Sequence, residues 1–160
     1  MNDDGTFTGY ASVFGEADSY GDTIRPGAFR RAIETRSSGP PMLWSHDPSQ
    51  PIGTWTDMAE DTRGLKVTGR LITETARGAE AYALIKAGAV NGLSIGFRAR
   101  KSERGANGRR VLTDVDLIEI SLVTLPAASN ARVTSVRHRQ PADLAAFVEA
   151  ARRTALALKG

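Results

Sequence analysis

The chain reads as an α+β domain, a mostly antiparallel sheet or β-barrel with helices around it, and three observations carry this. Runs rich in Thr, Val, Ile, Tyr and Phe recur at short spacing between Gly, Pro, Asn and Asp, the pattern of strands and turns. Two pairs of such runs are joined by compact polar segments, at 59–64 and 104–108, which is how hairpins look in sequence. Three helical stretches occur without regular strand–helix–strand alternation, which disfavours parallel α/β architectures.

Taken in order, residues 6–14 form the first strand, and a polar loop at 16–22 follows between Gly15 and Gly21. Arg25-Pro26-Gly27 leads into a short helix over 28–36, with Phe29 and Ile33 one turn apart and facing inward. Residues 41–46 make a compact apolar strand closing on His46, and 47–51, with two prolines, read as a turn. Strands at 52–58 and 65–72 follow. A helix over 75–86 has Ala79, Tyr82, Ala83 and Ile85 as its apolar stripe, with Gly88 as its stop.

A strand then starts at Gly92 and runs through Arg98 and Arg100 to Glu103. The Asn107-Gly108 turn leads to the longest strand, 111–124. Strict alternation there puts Ile118, Ile120 and Leu122 on one face and Leu117, Glu119, Ser121 and Val123 on the other. Pro126 ends it. The expected organisation is thus a main domain over 1–126, a basic linker over 127–140, and an amphipathic helix over 141–160. The stripe of that last helix, Leu144, Phe147, Val148, Ala151, Ala155 and Leu158, needs burial on the domain or on a partner.

Composition narrows the chemistry. The 160 residues suit one domain with a sizeable core. Without cysteine there is no disulfide, no thiolate metal site and no cysteine nucleophile. No acid or histidine cluster has metal-ligand spacing, and no phosphate-binding glycine loop is present, so neither metal nor cofactor is expected. The first residues lack the basic and apolar regions of a signal peptide, and no apolar run reaches the ~20 residues of a membrane span. A net charge of +3, with 6% aromatic residues, gives little reason to expect specific nucleic-acid binding.

The stretch with chemical content is Gly92-Leu93-Ser94-Ile95-Gly96-Phe97. In a strand, Leu93, Ile95 and Phe97 share one face, and Ser94 lies on the other with only Gly96 beside it. Glycine at such a place marks close approach of another backbone or a ligand. A serine hydroxyl is a weak nucleophile and needs a base, and the base needs a group to fix its tautomer. Of the two histidines, His138 lies in the basic linker, whereas His46 ends an apolar strand and is the favoured base. Glu119 is the expected orienting acid, since its strand and that of Ser94 are hairpin neighbours. Asp114 and Asp116 are its rivals. Each residue also has a plain structural reading: Ser94 as a solvent-face polar residue, His46 as a satisfied structural histidine, Glu119 as an exposed strand acid. The turn Leu125-Pro126-Ala127-Ala128 is a candidate oxyanion site, although Pro126 has no N–H to give.

The succession Asp22-Thr23-Ile24-Arg25-Pro26-Gly27-Ala28-Phe29, Pro41-Met42-Leu43-Trp44-Ser45-His46-Asp47, Pro51-Ile52-Gly53, Gly92-Leu93-Ser94-Ile95-Gly96-Phe97 and Glu119-Ile120-Ser121-Leu122-Val123 resembles the HK97-type prohead (capsid maturation) protease family of tailed phages. That family is distantly similar to the herpesvirus assemblin protease, a serine protease on a β-barrel surrounded by helices. The resemblance implies a serine endopeptidase that cleaves scaffolding segments of the major capsid protein, and afterwards itself, inside the procapsid in the host bacterial cytoplasm. It places the base at His46 and the nucleophile at Ser94. Assemblins carry a histidine where this chain has Glu119, so Glu119 would be an acid in the same role. Assemblin-type enzymes often dimerise, which makes the last helix a dimer or capsid-docking surface as well as a candidate for packing on the domain. The competing reading is a non-catalytic, protease-like assembly factor of the procapsid.

Overall fold

One long strand organises the molecule. The computed structural model describes residues 4–35, 39–106 and 108–137. Its elements are β1 (Thr6–Val13), β2 (Thr23–Ile24), α1 (Arg30–Glu34), β3 (Met42–Trp44), β4 (Asp47–Glu60), β5 (Gly64–Leu71), α2 (Ala76–Lys86), β6 (Gly92–Arg104), β7 (Arg110–Val123) and β8 (Val133–Val136). β7 pairs antiparallel with β6 along one edge and, along the other, parallel with β2 near its start and with β3 near its end. From β3 the sheet continues antiparallel through β4, β5 and β1 to β8. The strand-rich α+β class expected from the sequence is what forms, and most of its pairs are antiparallel. The ladder is not closed into a barrel: between β8 and β6 it offers one isolated bridge, Gly92 with Arg132.

The core holds Phe7, Phe29, Met42, Ile52, Leu65, Leu71, Leu93, Leu112, Leu117, Ile120 and Leu122, all fully buried. Its aromatic centre is an edge-to-face contact of Phe7 and Trp55, centroids 5.7 Å apart. Phe29 is buried just ahead of α1, and Ile33 packs against the core, as their spacing predicts. On α2 the buried residues are Gly78, Ala81, Tyr82 and Ile85. Ala79 and Ala83 face out, so the stripe lies one position round from the one read in the sequence. Thr75 caps that helix by accepting from the Gly78 N–H at 3.0 Å, and Gly88 leaves it with φ +72°. No helix among the described residues is long and apolar enough to cross a membrane.

The β4–β5 hairpin turns on Asp61, whose carboxylate accepts from the Arg63 and Gly64 N–H groups and from the Tyr10 hydroxyl at 2.7 Å. The Tyr10 bond, first, and the backbone bonds hold the Asp61 carboxyl below its ordinary range. The tie to β1 is therefore complete at neutral pH and is lost as pH falls through that lowered value.

Three expectations change. Residues 47–51 are not a free turn but the start of β4. They bulge between the pairs Trp44–Asp47 and Leu43–Pro51, where prolines are tolerated because the ladder is interrupted. Residues 133–136, inside the stretch read as a linker, form β8 against β1; Val133 and Val136 suit a strand, and the arginines around them obscure it in composition. In β7 alternation breaks at Ile118: Gly96 pairs with Glu119 and Phe97 with Leu117, leaving Ile118 unpaired and 39% exposed. The bulge puts Leu117 on the core side with Ile120 and Leu122, and turns Glu119 and Ser121 to the opposite face. The predicted helix over 141–160 and His138 lie outside the described residues.

β1 meets the 131–133 segment and β6 over Gly9. A Cβ there would lie 2.6 Å from the Arg132 carbonyl oxygen, 2.7 Å from Leu93 Cδ1 and 2.9 Å from Val133 Cα. Two of these three are rigid backbone, so Gly9→Ala is expected to cost about 1–3 kcal/mol, read as a lowered melting temperature.

Candidate active site

Adjacent strands supply the site. Ser94 on β6 is the direct cross-strand partner of Ser121 on β7, and Ser121 is in register with Leu43 on β3. β3 ends one residue later, at Trp44, and Ser45-His46 form the tight turn that leads into β4. Both have positive φ, +51° and +63°, as in the two-residue hairpin turns that glycine and asparagine usually occupy. Left-handed backbone costs a non-glycine residue about 1–2 kcal/mol. Two hydrogen bonds to β7 offset it: the Ser45 N–H donates to the Leu122 carbonyl at 2.9 Å, and the His46 N–H donates to Ser121 Oγ at 3.0 Å. The histidine read as the end of a strand is thus the corner of a clamped, strained turn.

His46 Nδ1 lies 2.6 Å from Glu119 Oε1. With an ionised carboxylate and a neutral imidazole, Nδ1 donates to Oε1 and Nε2 is left as the acceptor. The imidazole side chain stays 46% exposed while that of Glu119 is 10% exposed. The ring therefore reaches the cleft and its partner is withdrawn from water. Glu119 Oε2 accepts from the Ser121 hydroxyl at 2.6 Å, so both carboxylate oxygens are engaged.

Ser94 (7% exposed) and His46 line one cleft of about 800 Å³. Among the described residues no hydrogen bond joins Ser94 Oγ to His46; such nucleophile–base contacts often tighten only around a seated substrate. The turn Leu125-Pro126-Ala127-Ala128 also lines the cleft, as do Asp22 and Arg110, which form a two-pronged ion pair at 2.9 and 2.5 Å. The turn is pinned by its carbonyls: Ala127 accepts from the Ser19 N–H at 2.9 Å, and Ala128 from the Ala131 N–H at 3.0 Å. Among the described residues neither the Ala127 nor the Ala128 N–H has a partner.

The sequence-derived candidates thus come together, with Glu119 rather than its rivals at His46. Asp114 faces Arg31 at 3.3 Å and Arg100 at 3.5 Å, and Asp116 faces Arg31 at 3.9 Å. Two participants escape sequence reading. Ser121 enters the sequence reading only as part of the Glu119-Ile120-Ser121-Leu122-Val123 motif, with no role given to it. Gly96 suggested room for the Ser94 hydroxyl, but its bare backbone instead makes room for Glu119: a Cβ there would meet Glu119 Oε1, with Cγ at 2.9 Å and Cδ at 3.0 Å.

Residues 1–145 match the caudovirus prohead serine protease family. The chain belongs to that family. All of the residues just described fall inside the matched span. The prohead protease of Enterobacteria phage HK97 is 37% identical over 136 residues, covering 83% of this chain and 60% of that protein, so this chain spans well under two thirds of that relative's length. Among solved structures, the bacteriophage T4 capsid assembly protease superposes with a TM-score of 0.61 at 15% identity, covering 74% of this chain and 80% of that one. The varicella-zoster virus protease superposes with a TM-score of 0.53 at 15% identity, covering 80% and 62%. These two likenesses are of fold, and they bear out the expected similarity of fold to the herpesvirus enzyme.

Gly96→Ala should push the Glu119 carboxylate off His46. A crystal structure of the variant measures this: an Oε1–Nδ1 separation beyond roughly 3.5 Å is expected, and an unchanged pair would mean that β6 yields instead.

Proposed function

We propose that this chain is a serine endopeptidase that cleaves the scaffolding segment of a capsid protein, and itself, during procapsid maturation of a tailed phage, prophage or phage-like particle. The observation that carries the reading is the 2.6 Å His46–Glu119 contact, which holds the histidine as a base in the cleft that Ser94 lines. Ser94 Oγ attacks the scissile carbonyl while His46 Nε2 takes its proton, and Glu119 stabilises the imidazolium so formed. The imidazolium then protonates the leaving amine, and an acyl-serine remains. Water, deprotonated by His46, hydrolyses that ester and restores the enzyme. The unpartnered Ala127 and Ala128 N–H groups are the donors offered to the oxyanion.

The substrate would bind extended along β6. Leu93, Ser94, Ile95, Gly96, Phe97 and Ala99 all line the cleft; β7 takes one edge of that strand, and the 131–132 segment holds the other only at Gly92 and Leu93. The barrel form of the fold belongs to the same reading. It is supported where the ladder stops by the Leu93 N–H to Ala131 carbonyl bond at 2.8 Å and the Val133 N–H to Asn91 carbonyl bond at 2.8 Å. The place of action is the interior of the procapsid, in the host cytoplasm, with the major capsid protein as partner.

Co-expression with the neighbouring capsid protein, read by intact mass, tests the proposal. Wild type is expected to remove a defined N-terminal segment from the capsid protein, and Ser94→Ala to leave it whole. Full-length capsid protein with both, in shells that still assemble, would instead favour a non-catalytic assembly factor. With a peptide spanning the cleaved bond, Glu119→Gln should lower kcat by roughly 10²–10⁴-fold. Asp114→Asn should stay near wild type, and the reverse order would move the orienting role to Asp114.

A further inference from the structure

Ser121 is completely buried, and its hydroxyl bonds to the two groups on which the histidine's position depends. It donates to Glu119 Oε2 at 2.6 Å and accepts from the His46 backbone N–H at 3.0 Å. We infer that Ser121 is a positioning residue for the His46–Glu119 pair, fixing through one hydroxyl both the rotation of the carboxylate and the turn that carries the imidazole.

The geometry gives each half of this a physical reason. The last torsion of a glutamate is broad and roughly two-fold, so packing alone does not decide which way the carboxylate plane faces. A donor on Oε2 decides it, and Oε1 is then directed at Nδ1. Ser121 can do this because β7 is regular from Glu119 to Ser121, so the two side chains share a face just after the Ile118 bulge. The second half concerns His46 itself, a non-glycine residue held at φ +63°. Its N–H would have no partner in β7 without the serine oxygen, since the preceding N–H, of Ser45, already takes the Leu122 carbonyl. The hydroxyl thereby couples the backbone of the base to the acid that orients its ring. Ser121 also pairs directly with Ser94 across the β6–β7 ladder, so the strand segment that carries the nucleophile is referenced to the same point. Nothing places Ser121 in contact with substrate, and it acts through its neighbours.

The kinetic arm of the test rests on the proteolytic reading above; the spectroscopic arm does not. The full chain is labelled with ¹⁵N-histidine, and the proton on His46 Nδ1 is followed by NMR. A short hydrogen bond to a carboxylate displaces it far downfield, and its disappearance in Glu119→Gln assigns it. Ser121→Ala is expected to move this resonance upfield and speed its exchange with water. In the peptide assay kcat should fall about 10–100-fold, the range seen for partners that orient a ligating histidine, with KM nearly unchanged. An unmoved resonance, or a wild-type kcat, overturns the inference. If wild type cleaves nothing, the protease proposal fails by itself, and the resonance alone decides the role of Ser121 in the pair. Should Ser121→Ala not fold, Ser121→Cys fills the space with a weak donor and is expected to give the same displacement; a wild-type resonance in that variant overturns the inference equally.

Discussion

A carboxylate taken out of water is tolerated only where its charge is answered, and the half of this fold that holds the candidate site is arranged around one. Glu119 is 8% exposed. Unpaired, its burial would be strongly destabilising. It is answered by an imidazole on one oxygen and a hydroxyl on the other. Each neighbouring feature can be read as a condition for that arrangement. The bulge at Ile118 turns the side chain away from the core, the glycine across the ladder leaves space for it, and the parallel β3 delivers the histidine turn from the far edge. The same charge gives the imidazole a fixed tautomer, so the feature that would be a liability in an ordinary core sets the polarity of the site.

Much of this was legible in the residues, and the part that was not has definite physical causes. Hairpins and α2 could be read because turn chemistry and periodicity are local. Ser94 and Glu119 could be placed near each other because a hairpin fixes which residues face one another once its turn is known. His46 could be chosen by elimination, from two histidines. The orientation of that histidine could not be read, because positive φ at Ser45 and His46 is imposed by long-range bonds to β7 rather than by glycine or asparagine in the turn. The bulge was equally silent: Leu117, Ile118 and Ile120 are all apolar, so an extra residue leaves no mark in the pattern. β8 was hidden because Val133-Thr134-Ser135-Val136 lies between arginines, and charge there outweighed alternation. Ser121 stood in a motif without a role, since a buried serine beside an acid gains meaning only when the third partner arrives from elsewhere in the chain.

The parallel pairing of β3 with β7 has a consequence for when the site is complete. β6 and β7 form a hairpin from neighbouring sequence, and they bring Ser94, Ser121 and Glu119 into one place by local contacts. His46 is 73 residues from Glu119 along the chain, and β3 can dock only after that long loop has closed and its entropy has been overcome. Non-local parallel pairing is among the slow events of folding. Local contacts are therefore expected to join Ser94, Ser121 and Glu119 before His46 is placed beside them. The site is complete only once that long-range pairing has formed, so on the proposed reading the order of folding itself would keep an immature chain inert.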